Sequence, residues 1–439
     1  MNTTPGCRRS HGGSAGRGSA GRAPSDSVPS DCGSALPGAT FWSLRRKCAP
    51  TTVFTLTLFA LLTLLLVHAA PAQDRRVLAP TPGTYDAFSQ FASFLDIILK
   101  HYADATNLTL HVHTTEALRA FVRSLDPDAD LITAADRPAT DDAHVDFGAR
   151  LALREGQPTV VSVRDGTTAQ RAGLLPGERL AAINDEPTSA ARLADIHRQL
   201  TGPVGSKFLL RVMDPASGPR DLLIERRAAA PPRLTLQFLA HGIAYSRLPE
   251  FTPAVTEQLL RAVERLRAER ARALILDLRN NPGGSLDAVV IAAQLFLPPQ
   301  SEITTLAYGR GERVATFVTE AESRFSGPLL LLVNAGTAAE AEVFAAAFQH
   351  YQRARLVGSP TAGRGRHHQS FTLPDGAVLT LPVAYYETPA RARFHDTGLT
   401  PDVAVEVHRD LDRRLATTGY AAAAETDPVL DRARRLLAP

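Results

Sequence analysis

The sequence predicts a layered α/β domain preceded by a smaller strand-rich module and a helical segment. Three observations carry that expectation. Residues 273–278 and 329–333 are near-continuous aliphatic runs, the mark of strands buried on both faces, and helix-period stretches accompany them at 253–268 and 338–350. Residues 145–227 instead set short apolar runs between turn signals. From Tyr85 to Ser124 apolar residues recur at three and four, as in Phe88, Phe91, Phe94, Leu95 and Ile98 and again in Leu118, Phe121 and Val122, which is the period of amphipathic helices.

Taken in chain order, residues 1–44 are rich in Gly, Ser, Pro and Arg without an apolar period and are expected to be disordered. Within 45–72, Arg45-Arg46-Lys47, an apolar run over 53–67 and Ala69-Ala70-Pro71-Ala72 follow the order of a secretory signal. The run is shorter than the roughly 20 residues of a membrane span, so a cleaved signal is the first reading and an N-terminal membrane anchor the second. Both put the chain from Gln73 outside the cytoplasm, in the periplasm of a bacterium, with an inner-membrane tether in the anchored case. The helical segment covers 77–144. Its acids Asp126, Asp128 and Asp130 lack the sixth-position glycine and distal glutamate of a calcium loop and are read as turn and cap residues. The strand-rich module takes 145–229, with strands at 160–163, 180–183, 208–212 and 222–224 and a helix over 190–200. A linker carrying Pro231-Pro232 leads to the α/β core, 232–406. The tail, 407–439, ends in a helix capped by Asp427 with Pro428 in its first turn.

Composition narrows the function classes. A hydrophobic content of 44% over 439 residues is enough for two or three cores, and a net charge of +3 with interspersed acids leaves no footprint for nucleic acid. Cys7, Cys32 and Cys48 all precede Val53, so a chain starting after the apolar run has no thiol for disulfides, metal or nucleophilic attack. No metal-ligand cluster or phosphate-cradling loop stands out, and neither metal nor cofactor is predicted. The lysines are Lys47, Lys100 and Lys207, none of them in the core.

The string Asp277-Leu278-Arg279-Asn280-Asn281-Pro282-Gly283-Gly284, which needs a buried strand, a tight turn and close backbone approach, resembles the C-terminal processing (tail-specific) peptidases. So do 124–133, Tyr385-Tyr386-Glu387-Thr388-Pro389 and Gly398-Leu399-Thr400-Pro401-Asp402; together the likeness spans 85–437. Within 145–229 the strand order with Ala172-Gly173-Leu174-Leu175-Pro176-Gly177 resembles a PDZ domain. The resemblance implies an α/β peptidase-like core behind a PDZ domain that receives extended polypeptides or protein C-termini, Phe147-Gly148-Ala149 being the loop that would meet a terminal carboxylate. It also implies a serine nucleophile at the turn after the second buried strand, a lysine base on a later loop with a glutamine one turn beyond, and an oxyanion hole of backbone amides at Gly283, Gly284 and Glu340.

Matched on Asn334, Gly336 and Glu342, the nucleophile position reads Ala339. The base position reads Arg364 and the glutamine position His368, at the family's spacing with no gap. Alanine cannot attack a carbonyl, and arginine cannot act as a neutral base. Thr337, with His367 and His368, is the one candidate replacement nucleophile; against it stands a plain role at the helix start, with the histidines as loop residues. Arg364 reads either as a cation for a peptide carboxylate or as a solvent-facing side chain. Three functions follow: an exported pseudopeptidase that binds peptide segments through the PDZ domain and a vacant cleft, an active serine-type endopeptidase with a relocated nucleophile, or a structural envelope assembly protein. Oligomeric state is not legible.

Overall fold

The computed structural model describes residues 82–104, 108–126, 128–136, 144–189, 191–418, 420 and 426–438. The segments read as disordered and as a signal, 1–44 and 45–72, lie outside the described residues. The chain divides into two units, Met1–Tyr102 and Ala103–Pro439. In the first, helix α1 (Pro82–His101) is described, and its Tyr85, Phe88, Phe91 and Phe94 are exposed. No helix among the described residues is long and apolar enough to cross a membrane.

The second unit opens with α2 (Leu110–Leu125) and a short strand, β1 (Asp130–Ile132). The strand-rich module follows as β2 (Ala149–Arg154), β3 (Gln157–Val163), α3 (Thr168–Arg171), β4 (Arg179–Ile183), α4 (Leu193–Leu200), β5 (Lys207–Asp214) and β6 (Gly218–Glu225). Its strands pair antiparallel in chain order, which leaves β2 at an edge. The pleat turns Leu151, Val160, Leu180, Phe208, Leu210 and Val212 inward onto Ile196 and Leu200 of α4.

The core runs through β7 (Thr235–Phe238), β8 (Ile243–Arg247), α5 (Pro253–Ala268), β9 (Ala273–Asp277), α6 (Leu286–Ala293), β10 (Glu302–Ala307) and β11 (Arg313–Val318). It continues with β12 (Leu329–Val333), α7 (Glu340–His350), β13 (Arg355–Gly358), β14 (Arg366–Thr372), β15 (Val378–Glu387) and β16 (Val403–Ala404), then α8 (Arg409–Thr418) and α9 (Pro428–Leu437). The central sheet has the order β7-β8-β9-β12-β13-β16, parallel except for β7. Its strands are covered on both faces, so successive residues serve opposite cores. Leu274 and Leu276 pack with Val263, Val289 and Phe344 of α5, α6 and α7, while Ile275 packs with Leu430 and Ala433 of α9. A second, antiparallel sheet, β1-β15-β10-β11 with β14 also paired to β15, carries one wall of the site.

Several contacts fix the module against the core, among them an apolar patch and a set of buried ion pairs. Ala152 and Val161 pack on Ala338 and Ala362. The buried carboxylates of Glu178 and Asp214 pair with Arg413 and Arg409 of α8, the Glu178–Arg413 pair at 2.9 Å. Burying these acids without the arginines would cost far more than the pairs return, so α8 acts as a strap across the module.

Candidate active-site cleft

The site is built from the loops that follow β9 and β12. At the end of β9, Asp277 is buried and holds Arg279 and the Tyr245 hydroxyl, and Arg279 reaches on to Asp427 at 2.7 Å. Asn280 and Asn334 bond reciprocally: Asn280 N–H donates to Asn334 Oδ1 at 2.9 Å and Asn334 Nδ2 to Asn280 Oδ1 at 3.0 Å. The two loops are thereby locked together. Asn281 closes the turn by accepting Gly283 N–H at 2.9 Å and takes Ala338 N–H on its carbonyl at 2.9 Å. The glycine pair is forced by close approach: a side chain on Gly283 would sit 2.3 Å from Glu340 Oε2, and one on Gly284 would sit 2.2 Å from the Phe251 carbonyl.

After β12 the chain enters α7 through Ala339, at φ 52 and ψ −120, a conformation that an alanine rarely adopts. Glu342 organises this entry. It is fully buried, and its Oε2 accepts Ala339 N–H at 3.0 Å and Arg364 N–H at 2.7 Å. Its Oε1 accepts Gly363 N–H at 2.8 Å and the Thr361 hydroxyl at 2.5 Å. One carboxylate oxygen therefore holds the backbone of both sequence-predicted positions, Ala339 and Arg364. Burial raises the Glu342 carboxyl above its ordinary range, against the pull of these four donors. Glu342 served only to align the motif in the sequence. An acid three residues after a helix entry is a capping-box signal that could have found it; Ala339 lacks the reciprocal acceptor.

The remaining predicted residues fall as follows. Thr337 is buried and donates its hydroxyl to Leu278 O at 2.9 Å while accepting Asn334 N–H at 3.1 Å. It locks the turn to the neighbouring strand rather than starting the helix, which begins at Glu340. Arg364 is neither a free cation nor solvent-facing, since its Nη1 donates to Asp128 at 2.8 Å; Arg366 pairs likewise with Asp126. The acids read as turn residues thus neutralise the base loop as well. His367 and His368 lie on β14, half-buried, not on a solvated loop. Burial lowers both below the usual imidazole value. In the PDZ-like loop, Phe147 packs on Phe208 and Gly148 N–H is taken by Asp146 Oδ1 at 3.2 Å.

Of the expected oxyanion donors, Gly283 N–H is spent on Asn281. Gly284 N–H donates to the Glu340 side chain, Oε2, at 2.9 Å. The other oxygen of Glu340 accepts the Tyr386 hydroxyl at 2.8 Å, and Tyr386 Oη lies 3.0 Å from His367 Nδ1. A phenol has one proton; with it given to Glu340, Tyr386 accepts from His367, which is therefore protonated at Nδ1. Burial, then the Glu340 charge, keeps the phenol far from ionising. The cleft expected to be vacant is filled here by a carboxylate of the chain itself. Glu340 and Tyr386 were legible only as a backbone donor and a closing-segment residue.

A covered parallel sheet with a glycine turn facing a strained helix entry, joined to an edge-accessible antiparallel module, defines a PDZ-containing peptidase fold. Residues 242–405 match peptidase family S41 and residues 159–213 match a PDZ domain. The carboxyl-terminal-processing protease of Synechocystis sp. is 33% identical over 246 residues, 55% of this chain and 57% of that protein. The chloroplastic carboxyl-terminal-processing peptidase 2 of Arabidopsis thaliana is 34% identical over 255 residues, 55% and 48% of the two chains. The carboxy-terminal processing protease CtpA of Bacillus subtilis is 27% identical over 261 residues, 60% and 56%. The chain thus spans about half the length of the curated relatives it matches. A solved photosystem II D1 C-terminal processing protease superposes with a TM-score of 0.64 at 23% identity, covering 77% of this chain and 94% of that one, a likeness of fold. Through its peptidase S41 core and PDZ domain the chain is similar to the C-terminal processing peptidases.

Proposed function

We propose that the chain is an exported, catalytically inactive member of this family that binds extended polypeptide segments or protein C-termini through its PDZ domain, as an adaptor or as a competitor of an active relative. The observation that carries the reading is the pair of side chains at the nucleophile and base positions. The Ala339 methyl has no atom that attacks a carbonyl, and the Arg364 guanidinium, charged at ordinary pH and held by Asp128, takes no proton. The hydrogen bond from the Thr337 hydroxyl to Leu278 O speaks against a relocated nucleophile. Binding is supported by β2, which has no strand beyond it among the described residues. Arg150 and Arg154 of β2 reach the carbonyls of Pro282 and Ala362, so a strand added there lies beside the cleft. Export rests on the basic, apolar and small-residue order of 45–72.

The test is incubation of the full-length chain with unfolded casein, beside binding of fluorescent peptides to the chain with and without residues 145–229. The expected result is no cleavage above buffer and binding that is lost with the module. Cleavage that disappears on Thr337→Ala overturns the reading.

A further inference from the structure

Each carboxylate oxygen of Glu340 has its own donor, Gly284 N–H on Oε2 and Tyr386 O–H on Oε1. Both donors are aimed by parts of the fold other than Glu340. The Gly284 turn is held from two sides, Phe251 N–H donating to Gly283 O at 2.9 Å and Ser285 N–H to Phe251 O at 2.8 Å. Tyr386 is fully buried on β15, and His367 directs its proton from behind. Arg150 stands close by, with Nη1 2.9 Å from Pro282 O, and favours negative charge in this corner. Glu340 itself is the first residue of α7 and only half-buried, and Gly284 is exposed apart from this contact.

A pair of preset donors spaced for two oxygens, with a cation behind them, matches a bidentate carboxylate. We propose that Gly284 and Tyr386 form a carboxylate seat that Glu340 fills as an internal stopper, and that removing the Glu340 side chain opens the seat to an external carboxylate, whether a small acid or the terminal carboxyl of a peptide. The seat adjoins position 339, because a side chain on Gly283 would lie 3.1 Å from Ala339 Cβ and 2.3 Å from Glu340 Oε2. An anion therefore stands where a developing oxyanion would need donors. The inference deepens the non-catalytic reading and adds a third obstacle to chemistry, independent of Ala339 and Arg364.

The experiment is amide hydrogen exchange at Gly284, resolved by fragment-level mass spectrometry, in the full-length chain and its Glu340→Ala variant. Removing the carboxylate should speed Gly284 exchange at least about tenfold, as expected for an exposed amide that loses its acceptor. Sodium acetate should slow it again saturably in the variant and leave the native chain unchanged, while acetamide should do nothing. A peptide with a free C-terminus should act as acetate does if the seat is reached by chain ends; protection by acetate but not by that peptide confines the seat to small acids. Tyr386→Phe in the Glu340→Ala background should weaken acetate protection. Glu340→Ser gives the same readout should the alanine chain fail to fold. Gly284 exchange within twofold of native, or exchange that acetate does not slow, overturns the proposal. Cleavage of casein by the native chain would overturn the non-catalytic reading and leave the exchange result standing, so the two failures are distinct.

Discussion

Glu342 offers the sharpest test of how the cleft is held. Both of its oxygens act only as acceptors, two donors each, so Glu342→Ala leaves Ala339 N–H, Arg364 N–H, Gly363 N–H and the Thr361 hydroxyl without their partner in a buried place. An orphaned buried donor costs about 1–3 kcal/mol, and four of them would exceed the effect expected here, because the variant is also relieved of a buried charge and admits water. A loss of about 4 kcal/mol follows. Glu342→Gln is the decisive variant. It preserves shape and removes the charge, yet whichever way the amide turns, its NH2 group must face two donors, so a loss of about 3 kcal/mol is expected in place of the near-neutral result of an ordinary isosteric change. Urea unfolding of the full-length chain, read by its midpoint, measures both variants, with Glu340→Gln as the half-buried control at under about 1 kcal/mol. If Glu342→Gln costs no more than that control, the four-donor account is wrong.

Ala339→Gly should stabilise the chain by about 1 kcal/mol, since the backbone strain of about 1–3 kcal/mol exceeds the added entropy of a glycine; a lower urea midpoint would show that the conformation is not strained. Asp214, although buried, is held well below the ordinary carboxylate range by Ala216 N–H and then Arg409. The unfolded chain therefore binds that proton more readily, and the stability Asp214 contributes is complete above about pH 4 and lost as pH falls toward its folded value. The gap in thermal midpoint between native and Asp214→Asn should shrink on acidification from neutral pH, and a constant gap would refute the assignment. In a casein assay, Ala339→Ser/Arg364→Lys should stay close to inert, and adding Glu340→Ala should raise cleavage by about 100-fold, the usual worth of an oxyanion donor. Full activity in the double variant would mean that Glu340 does not obstruct the site.

The fold was legible where one residue type had one structural use. The aliphatic runs of β9 and β12 admit no other reading than strands covered on both faces, and the Asn-Asn-Pro-Gly-Gly string could only serve a turn with close backbone approach. The antiparallel sheet was not legible, because β14 and β15 mix His, Gln, Ser and Thr with apolar residues in no clean alternation. Within the site, Glu340 reads in sequence as an ordinary acid in the first turn of a helix, a place where its charge needs no further explanation. That its carboxylate turns to Gly284 depends on a contact closed by the tertiary fold, and so do the Tyr386 hydroxyl and the pairing of Arg364 with Asp128. Local pattern carries no information about such pairs.

The strained entry at Ala339 needs no reactive group to sustain it. Ala338 N–H is fixed by Asn281, Ala339 N–H by Glu342, and the base loop is tied to the same turn by Ala362 N–H donating to Thr337 O at 3.0 Å. The first and last of these bonds join one loop to another, and Glu342 also holds the Gly363 and Arg364 amides, so relaxing position 339 would release the glycine turn, the helix entry and the loop around Arg364 together. The cost of a local distortion of a few kcal/mol is smaller than that of the buried polar groups it keeps paired. A cleft of this kind can therefore outlast its chemistry, because the geometry that would present a nucleophile is the same geometry that closes the core above β9 and β12. What distinguishes this chain is then decided by side chains that the scaffold does not constrain, namely the methyl at 339, the paired guanidinium at 364 and the carboxylate at 340.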